Sequence, residues 1–391
     1  MDATRTAVRR ARIAVCLLFL SFGMIIGTWT ARLPAVKRGL DLSDGQLSVA
    51  LLGFAAGAIT GMLVIGRLVD RHGGATMIVC AAVGDAVLLV APAYANGLVA
   101  LTVSLLLFGT VHGTLNIAMN AAAVEVERAW GRPIMSSFHA VYSIGGLLGA
   151  ATGGLFAYAD LSVAVTFAAA AALVICLALW ARRRLPAFDG QSSSEGPQRM
   201  SARLPGITFL GVLAFCCLVG EGAAADWSSV YLRDTLDSSP GFAAAAYAAF
   251  AAMMTAGRLA GDRLAARLGP VRLVRVCAAL AAVGLGVALL IGHPIAGVVG
   301  FGCLGAGLSC IAPLVFSAAG NRNPGRAGAA IARVASLGYV GFLTGPIIIG
   351  IAAQAVGLGW ALLIPAVLAL FVAVTAQALR QPGHEPSPLR A

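Results

Sequence analysis

An all-α integral membrane protein, with 12 transmembrane helices in two pseudo-symmetric six-helix bundles, is the fold class this sequence predicts. Three observations carry it. Apolar residues make up 59% of the 391 and charged residues 11%, with a mean hydropathy of +0.90, whereas soluble domains carry roughly 25% charged residues. The apolar residues fall into runs of about 20, the length of a helix that crosses the hydrocarbon core. A charged stretch between two such runs, Gly66-Arg67-Leu68-Val69-Asp70-Arg71-His72-Gly73-Gly74, is echoed by Gly257-Arg258-Leu259-Ala260-Gly261-Asp262-Arg263. Asp70 and Asp262 stand 192 positions apart, about half the chain, as tandem halves related by an internal repeat would place them.

The runs predict helices near 11–35, 46–66, 75–95, 98–124, 134–158, 162–181, 206–232, 241–262, 271–292, 294–318, 327–354 and 358–379. They divide the chain into an N-terminal bundle (1–181), a linker (182–205), a C-terminal bundle (206–380) and a disordered tail (381–391). The linker reading rests on Arg182-Arg183-Arg184 followed by Ser192, Ser193, Ser194, Gly196 and Pro197, a polar composition with nothing to bury.

A net charge of +11 invites a nucleic-acid reading until the arginines are placed. With the N-terminus inside, 22 of the 27 basic residues, Arg258 among them, fall on the cytoplasmic side. That bias orients a multi-pass cell-membrane protein with both termini cytoplasmic, so nucleic acid is not needed as a partner. The expected partners are the lipid bilayer, protons and a small-molecule substrate, with the chain acting as a monomer. All eight cysteines lie inside apolar spans without C-x-x-C spacing, so neither disulfides, a metal site nor a cofactor is expected. Arg9 to Arg12 before an apolar run has the look of a signal peptide, but the run is long and leads straight into further spans, which favours an uncleaved first helix.

Taken in order, the spans hold few polar residues, and each is a candidate. The first carries Arg32 near its outer end, either to bind substrate or to snorkel to the interface. The third holds Asp85, a lone acid read as a structural partner for another helix. In the fourth, His112, Asn116 and Asn120 recur at i, i+4 and i+8 and share one face, read as a substrate-binding stripe, with interhelical hydrogen bonding as its alternative. Arg128 closes that helix within reach of the Asp70 stretch. The fifth carries His139, then Gly145, Gly149 and Gly153 at four-residue spacing, a close-packing face. Arg333 in the eleventh lies 194 positions after His139, so the two are read as a pseudo-equivalent pair of substrate contacts. In the seventh, Glu221 and Asp226 point roughly 140° apart at ~100° per residue, so they are given different jobs. Asp226, seven residues from Arg233, suits an outer ion network. Glu221, flanked by Gly220 and Gly222, is assigned the proton, since burial disfavours the charged form of a carboxylate.

Gly66, Leu68, Asp70, Arg71 and Gly73 resemble the G-x-L-x-D-R-x-G motif that follows the second helix of major facilitator superfamily transporters. The resemblance implies the major facilitator fold and an inner gate in which Gly66, Asp70, Arg71, Gly73, Arg128, Arg258 and Asp262 take part. Physically, glycines allow close helix approach and a carboxylate at a helix end meets the N-terminal dipole of a neighbour. This chain departs from the motif in having Gly74 and Ala75 where basic residues usually follow. The stretch from Val219 to Pro270, Leu33-Pro34, and Gly113-Thr114-Leu115-Asn116-Ile117-Ala118-Met119-Asn120 resemble the fucose-permease branch of the family, as does Ser137-Phe138-His139 among its bacterial members. Where the fucose symporters place carboxylates in helices 1 and 4, this chain has Thr30 and Asn116, so fucose itself is not implied.

The expected function is secondary active transport by alternating access, with proton-coupled uptake of a small polar or sugar-like solute. The alternative is efflux of drugs or metabolites by proton antiport. An enzyme is not expected: the sequence holds no H-E-x-x-H or comparable constellation.

Overall fold

The computed structural model describes residues 2–42, 44–72, 74–185, 206–323 and 326–380, without the side chains of 2–5, 44–45, 48, 64–72, 74, 240–241 and 244. The described residues are predominantly helical, joined by short turns, with no strand among them. They form α1 (Asp2–Gly39), α2 (Asp44–His72), α3 (Gly74–Val90), α4 (Leu98–Trp130), α5 (Met135–Tyr158), α6 (Val163–Arg182) and α7 (Ile207–Val230). A continuous stretch, Pro240–Ile291, is broken at Gly269, whose φ of 73° and ψ of 160° are not helical. Pro270 follows it, and the residue before a proline is pushed out of the helical region. The stretch is therefore two helices, α8 (240–268) and α9 (270–291). Then come α10 (Pro294–Arg322, interrupted at Ser309 and Cys310), α11 (Ala327–Val356) and α12 (Leu358–Leu379). Among the described residues ten stretches are long and apolar enough to cross a membrane, the one over Ala245–Ile291 covering both α8 and α9, and Val49–Leu63 of α2 is a shorter apolar run. With that run and the break at Gly269, the 12 expected helices are accounted for.

The chain divides into two compact units between Ala202 and Arg203, with Ile331–Ser336 grouped with the first. In the first unit, glycines set the packing. A β-carbon on Gly23 or Gly27 of α1 would strike the backbone of Tyr142 or Gly146 on α5, and one on Gly145 or Gly149 would strike Leu20 or Met24 on α1. The Gly145 and Gly149 series is thus the close-packing face the sequence predicts. Gly57 and Gly61 of α2 and Gly109 and Gly113 of α4 form a second such seam. The second unit repeats the plan: Gly341 and Gly345 of α11 abut Phe215 and Val219 of α7, and Gly305 of α10 abuts Phe250 of α8.

These contacts fix the register of the internal repeat. Gly109 against Phe54 corresponds to Gly305 against Phe250, and Gly145 and Gly149 to Gly341 and Gly345, every residue displaced by 196 positions. The helix ends agree: α2 stops at His72 and α8 at residue 268, 196 later. The offset is therefore not the 192 read from the two aspartates. At 196, Arg67, Leu68, Arg71 and Gly73 match Arg263, Leu264, Arg267 and Gly269, but Asp70 falls on Ala266 and Asp262 on Gly66. Asp262 lies inside α8, six residues before its end, and is not the second copy of Asp70. By the same register His139 falls on Ala335 and Arg333 on Ser137, so these two are not equivalents either.

Candidate functional site

Two pairs of ionisable side chains stand inside the spans, one in each unit. In the first unit Asp85 of α3 and His112 of α4 are 0% and 1% exposed. His112 Nδ1 lies 3.0 Å from Asp85 Oδ2 and 3.2 Å from Oδ1. The imidazole stacks on Phe22 of α1 with centroids 3.8 Å apart and planes at 10°, and Phe54 and Phe108 pack around it. Among the described residues His112 is the titratable side chain that contacts Asp85. A buried carboxylate is tolerated when paired, so the expectation of a structural partner for Asp85 is met, and that partner is the first residue of the proposed helix 4 stripe.

The rest of the stripe turns inward on itself. Asn120, fully buried, donates Nδ2 to the Asn116 carbonyl at 2.9 Å and to its Oδ1 at 3.1 Å. The Oδ1 of Asn120 is buried without a hydrogen-bond partner among the described residues. Asn116 is half-buried. His139 of α5 is half-buried, its ring edge-on to Phe19 at 5.4 Å. Arg32, 5% exposed, donates Nη2 to the Leu161 carbonyl at 2.7 Å and ties the end of α1 to the turn between α5 and α6. Arg333 is exposed on α11.

In the second unit, Arg258 Nη2 of α8 lies 3.5 Å from Glu221 Oε1 of α7, with the side chains 8% and 20% exposed. Cys217, one turn before Glu221, gives its thiol to the same Oε1 at 3.9 Å. The assignment of Arg258 to the cytoplasmic side is thereby overturned: at ~1.5 Å per residue it lies ~15 Å short of the end of α8, buried and facing a carboxylate. Asp226 is exposed, and Arg233 has Asp234 as its carboxylate neighbour at 4.0 Å instead.

Among the gate residues, Gly73 lies outside the described residues, as do the side chains of Gly66, Asp70 and Arg71. Arg128 is exposed at the end of α4, within electrostatic reach of Glu125 and Glu127. Beside it, Glu127 anchors the turn into α5. It is 7% exposed, and its Oε2 accepts the Ile134 and Met135 backbone N–H groups at 2.9 Å each, satisfying donors that a helix start leaves open. Among the described residues, no three His, Cys, Asp or Glu side chains gather as metal ligands would.

Comparison with known proteins places this arrangement. The sequence profile of the Major Facilitator Superfamily matches residues 13–327 and 210–391. The chain belongs to the Major Facilitator Superfamily. It is 33% identical to an uncharacterised MFS-type transporter of Yersinia pestis over 94% of this chain and 95% of that one. It is also 31% identical to the membrane protein MosC of Rhizobium meliloti, over 92% of this chain and 88% of the relative. The fold is that of FucP, a major facilitator transporter solved in its outward conformation, with a TM-score of 0.81 at 17% identity over 94% and 98% of the two chains. This member of the superfamily is thus a multi-pass membrane transporter of a small molecule and not an enzyme.

Proposed function

We propose that this transporter couples the uptake of a small polar or sugar-like solute to protons, with Glu221 as the proton carrier. It would sit in the cell membrane as a monomer with both termini cytoplasmic. The observation that supports the reading most is the Glu221–Arg258 pair. Glu221 lies ~21 Å along α7, inside a core of about 30 Å, and keeps one-fifth of its side chain exposed. Its 3.5 Å contact with Arg258 is longer than the roughly 2.7–2.9 Å of a tight charge-assisted hydrogen bond. A proton on Glu221 competes with that loose contact and frees the Arg258 guanidinium to donate to solute hydroxyls. FucP, a fucose:proton symporter, shares this fold at 17% identity, which is in keeping with proton coupling. Candidate solute contacts are Asn116, Asn120, His139 and Arg333. Arg32 and His112, engaged with Leu161 and Asp85, instead hold the helices that present them. Asp70, Arg71, Arg128 and the glycines Gly66 and Gly73 would bias the inner gate.

The test begins with a thermal-shift screen of purified protein against sugars, polyols, organic acids and amphiphilic drugs, since a ligand of the folded state raises its apparent stability. With the hit, proteoliposomes bearing Glu221→Gln should lose proton-driven accumulation yet retain exchange at equal pH. Full accumulation by that variant would overturn the assignment.

A further inference from the structure

We propose that Arg12, Trp130 and Arg132 form a binding site for the phosphodiester headgroup of an anionic phospholipid, at the arginine-rich end of the first unit. The site is built by the turn that closes α4. Gly131, at a φ of 75°, caps the helix in the left-handed region, and its N–H meets the carbonyls of Glu127 and Arg128. Glycine is the usual residue at this position. The reversal brings Arg132 back over the ring of the residue two before it, its Cζ 5.6 Å from the Trp130 centroid. From α1, the Arg12 Cζ lies 4.6 Å from the same centroid, with Nη2 donating to Ser137 Oγ at 3.3 Å. The two guanidinium carbons are therefore no more than about 10 Å apart.

Two cations held on one indole repel each other, and the ring quadrupole offsets only part of that. Neither has a carboxylate partner among the described residues. The acids nearby are engaged elsewhere: Glu127 with the start of α5, and Glu125 within reach of Arg128. Arg9, one turn before Arg12, is exposed and adds positive charge to the same face. What this surface lacks is an anion with several acceptors, and phosphate oxygens match the guanidinium fork. The lipid, rather than a free anion, is favoured by position. Trp130 is the last residue of its span and Arg12 lies near the start of its own, six residues in from Thr6; tryptophan at a span end sits among headgroups, and basic residues beside it attract anionic lipid.

The proposal stands apart from the transport reading and is tested without a transported solute. Native mass spectrometry of protein released from mixed micelles would compare retention of phosphatidylglycerol with that of phosphatidylcholine. The wild-type chain should retain the anionic lipid in preference, and Arg12→Gln/Arg132→Gln should lower that preference about thirtyfold, as expected for two cations beside an anionic lipid. Arg12→Lys/Arg132→Lys, which keeps the charge and loses the planar stack, should fall between, and it guards against a fold defect in the neutral pair. Equal preference in wild type and the glutamine variant would overturn the site. Displacement of the lipid by inorganic phosphate alone would also overturn it, in favour of a free-anion site.

Discussion

Glu221 and Arg258 face each other across the antiparallel pair α7 and α8, 3.5 Å apart. Depth in the membrane is what makes them partners: each alone would be a charge in an apolar core, and each finds its opposite at the same height on the adjoining helix. Their coupling is measurable by a double-mutant cycle. Glu221→Gln and Arg258→Gln should each lower thermal stability in detergent, and the double variant should lose less than the sum, with a coupling of about 1 kcal/mol. Additive losses would mean that the two side chains are neighbours without interaction.

The Asp85–His112 pair is more deeply buried and should behave more sharply. Removing one partner strands the other, so Asp85→Leu is expected to cost about 3 kcal/mol in unfolding free energy. Asp85→Leu/His112→Leu, which leaves no orphaned polar group, should recover much of that loss. Circular dichroism melts of the single and double variants in one detergent would decide, and a double variant worse than Asp85→Leu would count against the pairing.

The 196-residue register makes the two aspartates unequal. Asp70 lies two residues before the end of α2, whereas Asp262 lies within α8 where the repeat places Gly66. Asp70→Asn is expected to slow transport roughly tenfold, the scale of losing one charge at a helix end, and Asp262→Asn less than about twofold on the same scale. Transport by both variants at matched expression checks this, and equal defects would restore the acidic echo.

Much of the architecture was legible because a membrane span announces itself by length and hydropathy, and because glycines at four-residue spacing mark a helix seam. The repeat was legible in kind but four positions out, since matching Asp70 to Asp262 followed charge, while the backbone contacts of Gly109 and Gly305 follow packing. Arg258 was misplaced by counting it with the basic loops; the rule that loops carry arginine says nothing about an arginine buried nearly three turns inside a helix. Folding each predicted hairpin about its turn brings Asp85 and Glu221 only to within about one to two helical turns of His112 and Arg258, so the pairing itself came from the packed helices. The face-to-face stack of Phe22 on His112 had no such signal, because it depends on how α1 crosses the α3–α4 hairpin.

The seams of α1 with α5 and α2 with α4 bring main chain against main chain, with no layer of side chains between that could shear. When bilayer thickness departs from the length of the spans, slippage of one helix along its partner is closed to the first unit, because each glycine would be carried off the carbonyl it abuts. Tilting of seamed pairs as stiff planks is what remains. Thickness of the surrounding lipid would then act on the inclination of these pairs while leaving their internal registry intact.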